Sequence, residues 1–137
     1  MYLEAKTQKE PYQMPVFTAL DFLSAFFSIL KKENVNIISA TEMFKAIGKY
    51  RNEFLPLFID IDIINNEETV CSQDLEEGIS MLQILGVVGK ANPKYERIIL
   101  KMNKNTADDV ISKCDDYYLN KIKEFATKFL NETKGDK

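Results

Sequence analysis

Leu82-Gln83-Ile84-Leu85-Gly86-Val87-Val88 runs into Gly89-Lys90-Ala91-Asn92-Pro93-Lys94 and then into Tyr95 to Met102; this stretch decides the fold. Leu75, Ile79, Leu82 and Leu85 recur at three- and four-residue spacing, the period of one helix face. Gly86 is placed to end that helix. Val87-Val88 then leads into a turn-rich link. Beyond it Ile98, Leu100 and Met102 fall on one face of a strand, with Arg97 and Lys101 on the other. The spacing predicts a β-hairpin with a basic tip. At the front of the helix, Ser72 is an N-cap residue. Asp74, Glu76 and Glu77 crowd the first turn, where the helix dipole favours negative charge.

Upstream, residues 16–33 predict a first helix. Asp21, Ser24, Ser28 and Lys31 make one narrow polar stripe. The rest is apolar (Phe17, Leu20, Phe22, Leu23, Phe26, Phe27, Ile29, Leu30), so this helix is covered on most sides and central to the domain. Asn34 is its terminator. Val35 to Ile38 is a short β-like run. Ser39 stands three residues before Glu42 in the capping-box pattern, opening a helix over about 40–47 that stops at Gly48. Residues 57–71 admit two readings, of which the first is preferred. One is a helix through about Ile59, interrupted by Pro56, followed by an irregular acidic loop. The other is a two-stranded hairpin, since Ile59 to Ile63 alternates Ile and Asp and Asn65-Asn66 signals a turn. Downstream, Asn105 or Thr106 caps a long final helix over about 107–132, with the stripe Ile111, Cys114, Tyr118, Ile122, Phe125 and Phe129.

The fold class is mainly α with a small β-hairpin. Its parts are an N-terminal arm (1–15), a domain over 16–104, and a C-terminal helical segment (105–137) that packs or dimerises. The order of helix, short strand, capped helix, helix and hairpin resembles the winged helix-turn-helix superfamily. The residues that carry the resemblance are Val35-Asn36-Ile37-Ile38 before Ser39-Ala40-Thr41-Glu42, and the Leu82 to Val88 run before the hairpin. The likeness covers about residues 16–102 and is one of fold alone. It implies a winged-helix-like domain closed by a long C-terminal helix through which such regulators dimerise. This chain departs from the pattern in having room for three helices between the short strand and the wing. It also has Phe44, not alanine, four residues before Gly48.

The 137 residues are 45% hydrophobic, too apolar for a disordered chain and long enough to form a core without a metal or disulfide. There is no histidine. That removes Ser-His and Cys-His nucleophile pairs and the commonest zinc sites. The glycines are scattered, so no phosphate-cradling loop exists. Non-enzymatic function follows, with no cofactor. Asp60, Asp62, Glu67 and Glu68 fail the calcium-loop pattern: Ile64 occupies a ligand position and Asn66 stands where glycine is required. Solvated surface acids are the plainer reading, and no metal site is expected. Cys71 and Cys114 lack zinc-spaced partners; Cys114 reads as a packed residue and Cys71 as an exposed one. Val16 to Leu30, the most apolar run, is too short to span a membrane. The polar, mixed-charge Met1 to Lys9 has no signal-peptide pattern. A cytoplasmic protein with no membrane partner is expected.

The net charge of −3 conceals a division. Residues 63–89 carry Glu67, Glu68, Asp74, Glu76 and Glu77 with no Lys or Arg. Residues 90–104 carry Lys90, Lys94, Arg97, Lys101 and Lys104 against Glu96 alone. Two functions follow. In the first, the chain is a winged-helix DNA-binding regulator or accessory protein. Lys90, Lys94 and Arg97 would contact phosphate from the wing, and Lys45, Lys49, Arg51 and Asn52 would present a helix after Gly48 to the major groove of double-stranded DNA. The acidic helix would then be scaffold. In the second, Glu67, Glu68, Asp74, Glu76 and Glu77 form a surface for a basic protein partner, as in an antitoxin or an inhibitor of a nucleic-acid enzyme. The plain alternative to both is a solvated turn beside a dipole-matched helix start. A homodimer through Ile111, Cys114, Tyr118, Ile122, Phe125 and Phe129 is also expected. A helix of that length, about 39 Å, outreaches a domain whose radius of gyration is about 14 Å.

Overall fold

Helix α1 (Ala19–Lys32) is wrapped on nearly every side. The computed structural model describes residues 16–65, 69–91 and 96–134. Thr18 opens α1 with a complete capping box: its hydroxyl accepts from the Asp21 amide, and the Asp21 carboxylate accepts from the Thr18 amide. Phe22, Leu23, Phe26, Phe27 and Leu30 have no exposed surface. Ser28, from the expected polar stripe, is also fully buried. Its hydroxyl donates to the Ser24 carbonyl at 2.7 Å, which removes the cost of an unpaired buried group. Asn34 turns the chain with φ 66°, the left-handed conformation that asparagine tolerates.

Strand β1 (Ile37–Ser39) leads directly into α2 (Ala40–Tyr50). Ser39 accepts from the Glu42 amide at 3.1 Å and caps α2. The helix does not stop at Gly48 but runs through it. A β-carbon at Gly48 would lie 2.7 Å from Val70 Cγ2 and 3.1 Å from Asn65 Nδ2. The glycine is needed for close approach, not for a turn. A turn over 51–54 then precedes the short helix α3 (Leu55–Phe58). Pro56 sits in its first turn, where the missing N–H is harmless.

Both readings of 57–71 hold in part. Ile61 and Ile63 are buried while Asp60 and Asp62 are exposed, but Ile59 is exposed too, so the alternation sorts only over 60–63. The hairpin is reduced to β2 (Ile64–Asn65) against β3 (Val70–Cys71). Helix α4 (Gln73–Ile84) starts at Ser72, whose hydroxyl accepts from the Leu75 amide at 3.1 Å. Gly86, at φ 79°, ends it, and the Val87 amide reaches back to the Leu82 carbonyl at 2.9 Å. Leu85 is not part of the buried stripe; it is 64% exposed.

Strand β4 (Val88–Ala91) and strand β5 (Arg97–Leu100) form the expected hairpin, and β1 joins it. The sheet is antiparallel in the order β1–β5–β4, with Ile38 opposite Ile98 and Val88 opposite Leu100. Ile38, Ile98, Val88 and Leu100 are buried.

The expected single helix over 107–132 is two: α5 (Lys104–Lys113) and α6 (Asp116–Lys134). Asn103, rather than Asn105 or Thr106, caps α5 by accepting from the Thr106 amide at 2.8 Å. Cys114 is extended, and Asp115 restarts the helix, its carboxylate accepting from the Tyr117 amide at 2.9 Å. With a break there, α5 and α6 both fold back onto α1. The dimer seam read from the sequence is therefore this chain's own core. Ile122, Phe125 and Phe129 are buried, and Ile111, Cys114 and Tyr118 are half-buried against the same cluster. Phe125 lies within 5.7 Å, centroid to centroid, of Phe22, Phe26, Phe54 and Phe58. Residues 105–134 thus complete the core of 16–104. The described residues are mainly helical with two small antiparallel sheets, and none of their helices is long and apolar enough to cross a membrane.

Candidate functional site

The basic residues expected on DNA are dispersed. Lys45 and Asn52 are exposed near the C-terminal end of α2. Lys49 is bound to Glu132 of α6 at 2.8 Å. Arg51 donates to the Ile63 carbonyl at 3.4 Å. No groove-entering helix follows Gly48, because the glycine lies inside α2 and α3 is one turn long with Leu57 and Phe58 buried. Arg97 belongs to the opposite end of α2, where the Ala40 amide bonds to the Glu96 carbonyl. Lys90 is 3.7 Å from Glu76 of α4. Lys94 and Tyr95 lie outside the described residues. The two basic groups therefore occupy opposite ends of an 11-residue helix, about 16 Å apart, and each is mixed with acid.

Carboxylates converge more closely. Asp74 at the start of α4 accepts from the Asp62 amide at 2.8 Å, which ties the 60–63 loop to the helix. Glu77 accepts from the Gln73 amide side chain at 2.9 Å. Asp60, Asp74 and Glu77 line a surface groove together with Leu20, Gly78 and Met81. Gly78 makes the groove possible, since a β-carbon there would meet Leu23 Cδ1 at 2.8 Å. The glycine draws α1 and α4 together and leaves a depression above their contact. Asp60 and Leu20 were not among the expected site residues. Their signal was available only in three dimensions, because 20, 60 and 74–81 are brought together by packing. Glu67 and Glu68 lie outside the described residues. Glu76 faces Lys90 instead of the groove.

Beyond the carboxylates, α4 exposes a second surface. Met81, Ile84 and Leu85 are 46%, 80% and 64% exposed. No Lys or Arg occurs between residues 73 and 84. The exposed side of α4 is thus acidic at its start and apolar at its end. Among the described residues no three potential ligand side chains converge to hold a metal ion.

Two other clusters are built from charge. Glu132 accepts from Lys49 and from the Tyr50 hydroxyl, and these bonds hold its carboxyl below the usual range. The same bond to Glu132 raises Lys49 and Tyr50. Lys49 and Lys128 each sit 5.3 Å from the Tyr50 ring centroid. Glu96 accepts from the Ser39 hydroxyl and from the Thr41 amide, and the serine bond lowers its carboxyl. Both are clasps on α2. A larger cleft of about 610 Å³ between α1, α5 and α6 is bridged by the Lys32–Asp108 ion pair at 2.7 Å. Cys71 is exposed; Cys114 is half-buried, and burial raises its thiol, so Cys114 is not an activated nucleophile.

No family model, curated protein or solved structure matches this chain.

Proposed function

We propose that this chain is a non-enzymatic protein-interaction module on a winged-helix-like scaffold, binding a basic partner through α4. The scaffold reading rests on element order and on the β1–β5–β4 strand order, with the short strand beside the far strand of the hairpin. Besides the helix after Gly48, the helix before the hairpin is the other candidate to enter a DNA groove. Here that helix is α4, and its character carries the argument. Three carboxylates flank its exposed start, three large apolar side chains flank its end, and it has no cation. Phosphate would be repelled at one end and apolar surface left wet at the other. A protein surface with lysine or arginine beside an apolar patch satisfies both. Long basic side chains would lay their stems on Leu20 and Met81 and their charges among Asp60, Asp74 and Glu77.

Zero-length carbodiimide coupling in an extract tests this reading. Asp60, Asp74 and Glu77 should couple to lysines of one protein. Met81→Asp and Glu77→Lys should each abolish the product without lowering the melting temperature. The DNA-binding reading keeps one supporting observation, the exposed Arg97 beside the hairpin tip. Duplex binding that weakens steeply with salt, with the three carboxylates left uncoupled, would establish it in place of the protein-interaction reading.

A further inference from the structure

The cleft between α1, α5 and α6, of about 610 Å³, has the size of a small-molecule site. Its floor is apolar. Ile29 and Ala126 are buried there, and Ile111 and Leu130 are half-buried. One wall is α6, which sets Lys123, Thr127 and Asn131 along the cleft on one side of the helix. The Thr127 hydroxyl is spent as a donor on the Lys123 carbonyl at 3.0 Å. The Lys123 ammonium and the Asn131 amide are left as the donors of that wall.

Charge is distributed unevenly along the cleft. Phe22 packs on Phe125 and Phe26 on Phe129, so α1 and α6 run in the same direction. The end of α1 therefore lies beside the last turns of α6, and Lys123 stands about 12 Å before Asn131, toward the other end. At the α1 end charge is matched. Asp108 is bound to Lys32 at 2.7 Å, and Glu33 stands between Lys32 and Asn34, whose side chain accepts from Lys104. Lys123 is not matched. Its neighbours on the helix surface, Leu119, Asn120, Ala126 and Thr127, are neutral, and among the described residues it forms no ion pair. The uncompensated charge of the cleft is thus one cation at the edge of an apolar floor. We propose that the cleft binds a small amphipathic carboxylate, its tail on Ile29, Ile111, Ala126 and Leu130 and its head on Lys123. The lysine stem extends the apolar surface beside the head. A head at the other end would meet Asp108 and Glu33, so only one orientation gains a charge pair. This site shares no residue with the α4 surface and does not rest on that reading.

Octanoate is the probe, with octanol and octylamine as its neutral and cationic counterparts. Each is titrated at neutral pH into the full chain carrying methyl-labelled isoleucine and leucine. Octanoate should shift the Ile29, Ile111 and Leu130 methyl signals and leave those of Ile84 and Leu85 on α4 in place. It should bind about fivefold more tightly than octanol or octylamine, the upper range for a charge pair open to solvent. Lys123→Gln, at an exposed position, should lower octanoate affinity by the same factor and leave octanol affinity unchanged, which a loss of structure would not do. Lys128→Gln, on the same helix but beside Tyr50, should leave octanoate affinity unchanged. Equal affinity for octanoate and octanol would reduce the cleft to an apolar surface and overturn the proposal. So would tighter binding of octylamine, which would place the head at Glu33. Methyl shifts confined to Ile84 and Leu85, or no shifts at all, would overturn it as well.

Discussion

Phe125 shows how one residue decides between two architectures. On the sequence it falls on a stripe that suits a dimer seam. In the structure it is fully buried and surrounded by Phe22, Phe26, Phe54 and Phe58. Truncating a buried phenylalanine costs about 3–5 kcal/mol, through lost transfer energy and the cavity left behind. Several edge-to-face contacts would be lost with it. Against a total stability of about 5–15 kcal/mol this is a large share. Phe125→Ala should therefore move the urea midpoint sharply downward at every protein concentration. Light scattering on the parent chain should return the monomer mass of 15.8 kDa. A midpoint that rises with concentration in the parent and not in the variant would restore the seam.

Among the elements, α2 and the small hairpin on it show what packing adds to pattern. Gly48 reads as a helix stop because glycine often follows a helix. Nothing in the local sequence says that Val70 and Asn65, about twenty residues on, will lie against it. Asn65 donates to the Gly48 carbonyl at 3.0 Å, and Val70 fills the space where a β-carbon would go. Gly48→Ala gains about 1 kcal/mol of helix propensity but overpacks the contact by about 1–3 kcal/mol, so a net loss is expected. Adding Val70→Ala removes the 2.7 Å clash, leaves only the 3.1 Å approach of Asn65 and keeps the propensity gain, so the double variant should be more stable than Gly48→Ala alone. Additive losses in chemical denaturation would mean that the hairpin does not rest on the helix. The same limit explains what else was legible. The cap at Ser39, the stop at Gly86, the Asn34 turn and the 88–100 hairpin depend on neighbours in sequence and were readable there. The break at Cys114 was signalled by Asp115-Asp116, but an unbroken apolar stripe spoke louder. The acidic groove was half legible, because Asp74 and Glu77 stand in one helix turn while Leu20 and Asp60 arrive from other elements.

Across the whole molecule, α2 joins the sheet to the helical layer, and a carboxylate clasps each end. Glu96, from the edge of β5, holds the N-terminal end through the Ser39 hydroxyl and the Thr41 amide. Glu132, from α6, holds the C-terminal end through Lys49 and Tyr50. Both carboxyls are lowered by these bonds, so the folded state favours their charged forms. Their contribution is fully present above the ordinary carboxylate value, about 4.3, and is lost as pH falls through the lower folded values. Both clasps lie near solvent, so screening keeps the contribution of each small. The urea midpoint of the parent should hold steady from neutral pH to about 5 and then fall. Glu96→Gln with Glu132→Gln should start lower at neutral pH and fall less. The two curves should converge once both carboxyls in the parent are protonated. Parallel curves over the whole range would show that the clasps act through shape alone. Convergence would show that the sheet and α6 are linked across α2 by charge, which neither strand pairing nor the phenylalanine core supplies.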